Sequence, residues 1–80
     1  MQIDFTVFGR VQHVWYRRFV RQRLSMYNLS GYAQNNPDGS VYVLAEGEKV
    51  QLEKLIRDCY KGPVLAKVNH IEFGQGLFNK

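Results

Sequence analysis

The eleven residues Val7-Phe-Gly-Arg-Val-Gln-His-Val-Trp-Tyr-Arg17 are the part of this eighty-residue sequence whose types and spacing best suit chemistry. An alternating apolar run precedes them and a helix-period run follows. A glycine-opened loop between a strand and a helix start brings backbone N–H groups and the positive end of the helix toward one point, where an anion is favoured. Arg17, in the first helical turn, can add a bidentate guanidinium to the same anion. Gly9 fits such a loop because a residue without Cβ lets backbone approach a phosphate closely.

The elements around this loop follow from periodicity. Ile3, Phe5 and Val7 alternate with polar neighbours, so residues 2 to 8 read as a half-buried strand. Tyr16, Phe19, Val20, Leu24 and Tyr27 form one apolar stripe of a helix that ends near Asn28. Gly31 to Asn35 reads as a short strand. Asn36-Pro37-Asp38-Gly39 is a turn, and Val41, Val43 and Ala45 alternate through a third strand to Glu46. Leu52, Leu55, Ile56 and Cys59 mark a second helix over Glu48 to Tyr60, which Gly62-Pro63 ends. Lys67 to Phe73 is a fourth strand, with Val68 out of phase with Ile71 and Phe73, as a bulge or an edge position would explain. The order βαββαβ is the ferredoxin-like, α+β arrangement: a two-layer sandwich with two helices on one face of an antiparallel sheet.

Composition bounds the rest. Residues 1–80 suit a single domain, and 45% hydrophobic residues are enough for a core. One cysteine excludes an internal disulfide framework, and two widely separated histidines argue against a metal cage. No apolar run is long enough to span a bilayer, and the N-terminus does not read as a signal peptide, so a cytoplasmic protein with no membrane role is expected. The formal charge of +4 favours anionic partners without choosing among phosphate esters, acyl phosphates and nucleic acid. Arg18, Arg21 and Arg23 read as the solvated face of the first helix, His70 as a strand side chain without special role, and Cys59 as a small core hydrophobe.

Two motifs narrow the function. Residues 7 to 17 resemble the first signature of the acylphosphatase family. Gly31-Tyr-Ala-Gln-Asn35 with Gly39, Val41 and Gly47 is similar to its second. The resemblance covers nearly the whole chain. It implies a small enzyme that hydrolyses carboxyl phosphates to carboxylate and inorganic phosphate, with no metal and no cofactor.

The residue chemistry agrees. Phosphoryl transfer requires an anion cradle, neutralisation of charge on the equatorial oxygens and an oriented nucleophile. The backbone of Gln12 to Arg17 would supply the cradle, within a substrate-binding stretch of Gly9, Arg10, Val11, Gln12, His13, Val14, Trp15 and Tyr16. Arg17 would hold two phosphate oxygens, and the Asn35 amide would orient the attacking water. The turn chemistry ahead of Pro37 is the plainer reading of Asn35, as solvation is of Arg17; the intact motifs favour catalysis for both. Gln12 is expected to shape the loop by hydrogen bonding. His13 stands where most family members have glycine and is read as a tolerated side chain, harmful only if the backbone there needs positive φ. Tyr16 is a core-facing replacement for phenylalanine or methionine.

The family's closing fifth strand is reduced here to Leu77 and Phe78, which should cost stability but spare activity. Two rivals remain. A sheet-surface RNA binder would use Tyr32 and Tyr42, but the aromatic-basic spacing of that motif is missing. A domain of a hydrogenase-maturation carbamoyltransferase has a similar sequence. A free-standing monomer with a small-molecule substrate is the expectation.

Overall fold

The alternation of Ile3, Phe5 and Val7 sets the buried face of a central strand, β1 (Gln2–Arg10), in the computed structural model, which describes residues 1–74. After it come α1 (Tyr16–Met26), β2 (Ser30–Asn35), β3 (Val41–Glu46), α2 (Lys49–Lys61) and β4 (Lys67–Phe73). The sheet order is β2-β3-β1-β4, with every neighbouring pair antiparallel. The proposed remnant of a fifth strand, at Leu77 and Phe78, lies outside the described residues.

Both helices lay one stripe on the same sheet face. Tyr16, Val20 and Leu24 of α1 and Leu52, Leu55 and Cys59 of α2 join Phe5, Val43 and their neighbours in one buried cluster. Each fully buried Ile, Leu or Phe in such a cluster contributes about 1.5–3 kcal/mol through removal of apolar surface from water. Tyr16 reaches furthest: its hydroxyl donates to the Cys59 carbonyl across the two helices at 2.5 Å, and burial pushes its phenol well above the ordinary range. Burial likewise pushes the Cys59 thiol up to about 12, which leaves it a packing group. A second tie between the helices is polar. Asp58 accepts from the Tyr27 hydroxyl and from Arg57 Nε, and it lies 2.9 Å from Arg23 Nε.

The sequence reading ends β1 two residues early. In the structure β1 runs through Gly9 and Arg10, which pair with Val68 and Lys67 of β4. The register shifts between Phe8, opposite His70, and Gly9, opposite Val68, so Asn69 is an extra residue in β4. That bulge, on an edge strand, turns both Val68 and Ile71 toward the core and resolves the phase defect in β4. The bulge also supplies a different reason for Gly9. At φ 134° its missing Cβ would stand 2.1 Å from the Lys67 carbonyl oxygen. Close packing of β1 on β4 by itself requires a glycine here.

Candidate active site

The chain leaves β1 at Arg10 and must reverse within five residues to start α1 at Tyr16. It does so with two left-handed residues, His13 at φ 61° and Trp15 at φ 66°. Trp15 is the N-cap of α1 and makes no side-chain capping bond, and the first turn holds no acidic residue. The positive end of the helix is therefore left without a compensating side chain. Among the described residues no hydrogen bond takes up the N–H groups of Gln12, His13, Val14 or Trp15. Left-handed residues in such a loop turn successive amides into an anion-binding concavity.

Two hydrogen bonds fix this loop against the rest of the fold. Gln12 Nε2 donates to the carbonyl oxygens of Asn36 and Ser40, each at 2.8 Å. Those residues bracket the β2–β3 turn, which is closed by Asn36 N–H donating to the Ser40 carbonyl and by Ser40 N–H donating to Asp38. Hydrogen bonds from the Ser40 hydroxyl and N–H hold the Asp38 carboxyl below its usual range. Asn35 precedes this turn directly. Gln12 thus ties the loop after β1 to the end of β2, the two parts of the chain that carry Arg17 and Asn35.

Between them lies a cleft of about 720 Å³. Arg17, Asn35, His13 and Trp15 line it, with Val11 and Tyr16 contributing to its wall. Arg17 and Asn35 are eighteen positions apart in sequence and face one cavity. Four of the predicted substrate-binding residues do not line it. Gly9 and Arg10 belong to the strand, Gln12 braces the loop from outside, and Val14 is buried in the core. Three lining residues were not expected: Ala33 on β2, and Arg18 and Arg21 on α1. Arg18 and Arg21 read as solvated polar-face residues, but the folded-back loop puts their side of the helix on the cleft. Arg17, Arg18 and Arg21 fall within an arc of about 100° on a helix of 3.6 residues per turn, and that clustering was the available signal.

His13 meets the one condition under which a side chain at its position is harmful. Its backbone is left-handed, where a Cβ crowds the following carbonyl. Histidine tolerates this region better than most residues, so the strain is modest. Replacing it with glycine is expected to stabilise the fold by about 0.5 kcal/mol after the entropy of the freer unfolded chain is set against the relief, which raises Tm by about 2–4 °C. Thermal unfolding followed by circular dichroism reads this directly, and an unchanged or lower Tm would show that the strain at His13 is no larger than the entropy cost of the glycine.

Among the described residues no group of three or more His, Cys, Asp or Glu side chains comes together, and no helix is long and apolar enough to cross a membrane. On β2 and β3 Tyr32 and Tyr42 pack with ring centres 6.2 Å apart, and the Tyr42 hydroxyl donates to Asp4. Burial, with that bond, pushes the Tyr42 phenol up to about 12.

Comparison with known proteins bears on this arrangement. The profile of the acylphosphatase family matches residues 3–76. An acylphosphatase of Thermus thermophilus is 47% identical over 68 residues, which are 85% of this chain and 77% of the relative. One of Methanocella arvoryzae is 39% identical over 70 residues, 88% of this chain and 80% of the relative. The crystal structure of acylphosphatase from Bacillus subtilis superposes with a TM-score of 0.89 at 34% identity, covering 91% of this chain and 81% of that one. A full-length HypF in a phosphate- and nucleotide-bound form gives a TM-score of 0.80 at 32% identity over 92% of this chain, but only 10% of that much longer one.

Proposed function

This chain belongs to the acylphosphatase family, and from that premise we propose that it hydrolyses acyl phosphates in the cleft between the Gln12–Arg17 loop and Asn35. The observation that carries the reading is the convergence on one cavity of Arg17 and Asn35, beside loop amides that no acceptor among the described residues uses. The amides and the uncapped end of α1 hold the phosphoryl oxygens, and Arg17 grips two of them with its planar fork. The Asn35 amide, anchored through the turn that Gln12 braces, aligns a water opposite the acyl oxygen. The water oxygen bonds to phosphorus as the bond from phosphorus to the acyl oxygen breaks. The carboxylate leaves with that electron pair, and the water's proton passes to a phosphoryl oxygen.

An acyl phosphate needs no general acid, because a carboxylate is already a good leaving group. The cleft suits that requirement: among the described residues no carboxylate lines it. The loop and the two named side chains supply positioning and charge neutralisation, the terms that dominate phosphoryl transfer, and no metal ion enters the proposed step. The same reading makes the protein a cytoplasmic monomer of one domain acting on a small molecule. The acidic Asp4 bound to the half-buried Tyr42 makes the Tyr32–Tyr42 pair a poor platform for a polyanion.

Because product and substrate share the phosphate cradle, inorganic phosphate is expected to inhibit benzoyl phosphate hydrolysis competitively. Initial rates at several phosphate concentrations test this. A noncompetitive pattern would place the phosphate elsewhere and sink the proposed binding mode.

A further inference from the structure

The positive charge on the cleft exceeds what one phosphoryl group can use. Arg17 and Arg21 stand one helical turn apart with Arg18 beside them, and all three line the cavity. Among the described residues none of the three forms an ion pair. Neutralisation elsewhere on the protein is local. Arg23 meets Asp58 at 2.9 Å and Arg57 meets the same carboxylate at 3.2 Å. α1 contains no acidic residue at all, so three guanidiniums repel one another within little more than one turn. A bound anion relieves that repulsion. One phosphate engaged by Arg17 and the loop leaves the other two guanidiniums without an anionic partner among the described residues.

Their placement gives the surplus a direction. The Arg18 guanidinium carbon lies 5.9 Å from the centre of the Trp15 ring, and Trp15 is itself a wall of the cleft. Trp15 and Arg18 also border an adjoining recess with Phe19 and Pro63. An organic group leaving the phosphate site along this wall passes Arg18 and Arg21. We propose that Arg18 and Arg21 form a subsite for a second anionic group, so that the preferred substrate is an acyl phosphate whose acyl portion carries its own carboxylate or phosphate. This rests on the reading of the cleft as an acyl phosphate site, and it adds to that reading a property of this chain's own arginines.

Two rigid, non-hydrolysable probes that differ only in charge test it: 4-carboxybenzylphosphonate and its neutral counterpart 4-carbamoylbenzylphosphonate. Their dissociation constants are measured by titration calorimetry on the full chain at low ionic strength. The charged probe is expected to bind at least about tenfold more tightly, as one further ion pair in a partly enclosed site implies. In Arg18→Gln/Arg21→Gln the preference falls below about twofold, and in each single variant it falls part of the way. Both side chains are exposed, and an unchanged Tm of each variant shows that the fold is intact. Equal affinity of the parent for the two probes overturns the proposal. So does a preference that survives the double substitution. Equal weakening of both probes does the same, since it would reduce the arginines to a general field. Turnover of benzoyl phosphate by the parent is followed alongside. A parent that shows the preference but hydrolyses nothing contradicts the enzymatic reading alone, whereas one that hydrolyses benzoyl phosphate and ignores the extra carboxylate contradicts only the subsite.

Discussion

Substituting Arg17 with alanine is expected to lower kcat/KM for benzoyl phosphate by about 10²–10³-fold, on the order of 3–4 kcal/mol of transition-state stabilisation. The side chain is exposed at the start of α1 and forms no ion pair among the described residues, so its removal should leave Tm within about 4 °C. The loss therefore reads charge and orientation at the phosphoryl group rather than folding. Lysine should rescue little. An ammonium restores the charge but not the planar pair of donors that holds two oxygens at once. Steady-state kinetics of Arg17→Ala and Arg17→Lys check both statements, and a lysine variant with near-parental activity would mean that charge alone matters at this position.

Asn35→Ala should reveal a different division of labour. If the amide orients water and does not hold the phosphate, kcat falls by about 100-fold while the inhibition constant of inorganic phosphate changes little. The prediction depends on Gln12, because its two bonds to Asn36 and Ser40 hold the end of β2 against the cradle. Aspartate, similar in size, is expected to do worse than alanine, since a carboxylate beside a phosphoryl dianion repels it. A loss of phosphate affinity in Asn35→Ala equal to its loss of rate would assign the amide to binding and remove the water-orienting role.

The path of the chain was legible because its signals are local. Alternation at Ile3, Phe5 and Val7, one helical stripe at Tyr16, Val20 and Leu24, and the Asn36-Pro37-Asp38-Gly39 turn each mark an element within a few residues. Gly9 shows where such reading stops. Its requirement comes from the Lys67 carbonyl on β4, nearly sixty positions away, and no local pattern announces that contact. Arg18 and Arg21 show the same limit on the functional side. A polar helix face looks alike in sequence whether it meets bulk water or a cleft, and only the return of the loop through His13 and Trp15 decides which. His13 is an intermediate case. The sequence reading identifies the condition under which a side chain there costs stability, and the backbone angle meets it. Gln12 was recognised as a loop-shaping residue, but its partners across the β2–β3 turn become visible only when the two segments are brought together.

The most direct test of the central claim is hydrolysis of benzoyl phosphate by the purified chain in ¹⁸O-labelled water, with EDTA present. The proposed mechanism predicts turnover unaffected by the chelator, with one labelled oxygen appearing in inorganic phosphate and none in benzoate, because water attacks phosphorus. Label in benzoate would place the attack on the acyl carbon and contradict the roles given to Arg17 and Asn35. A folded protein that releases no phosphate, or one that EDTA silences, would contradict metal-independent acyl phosphate hydrolysis in this cleft.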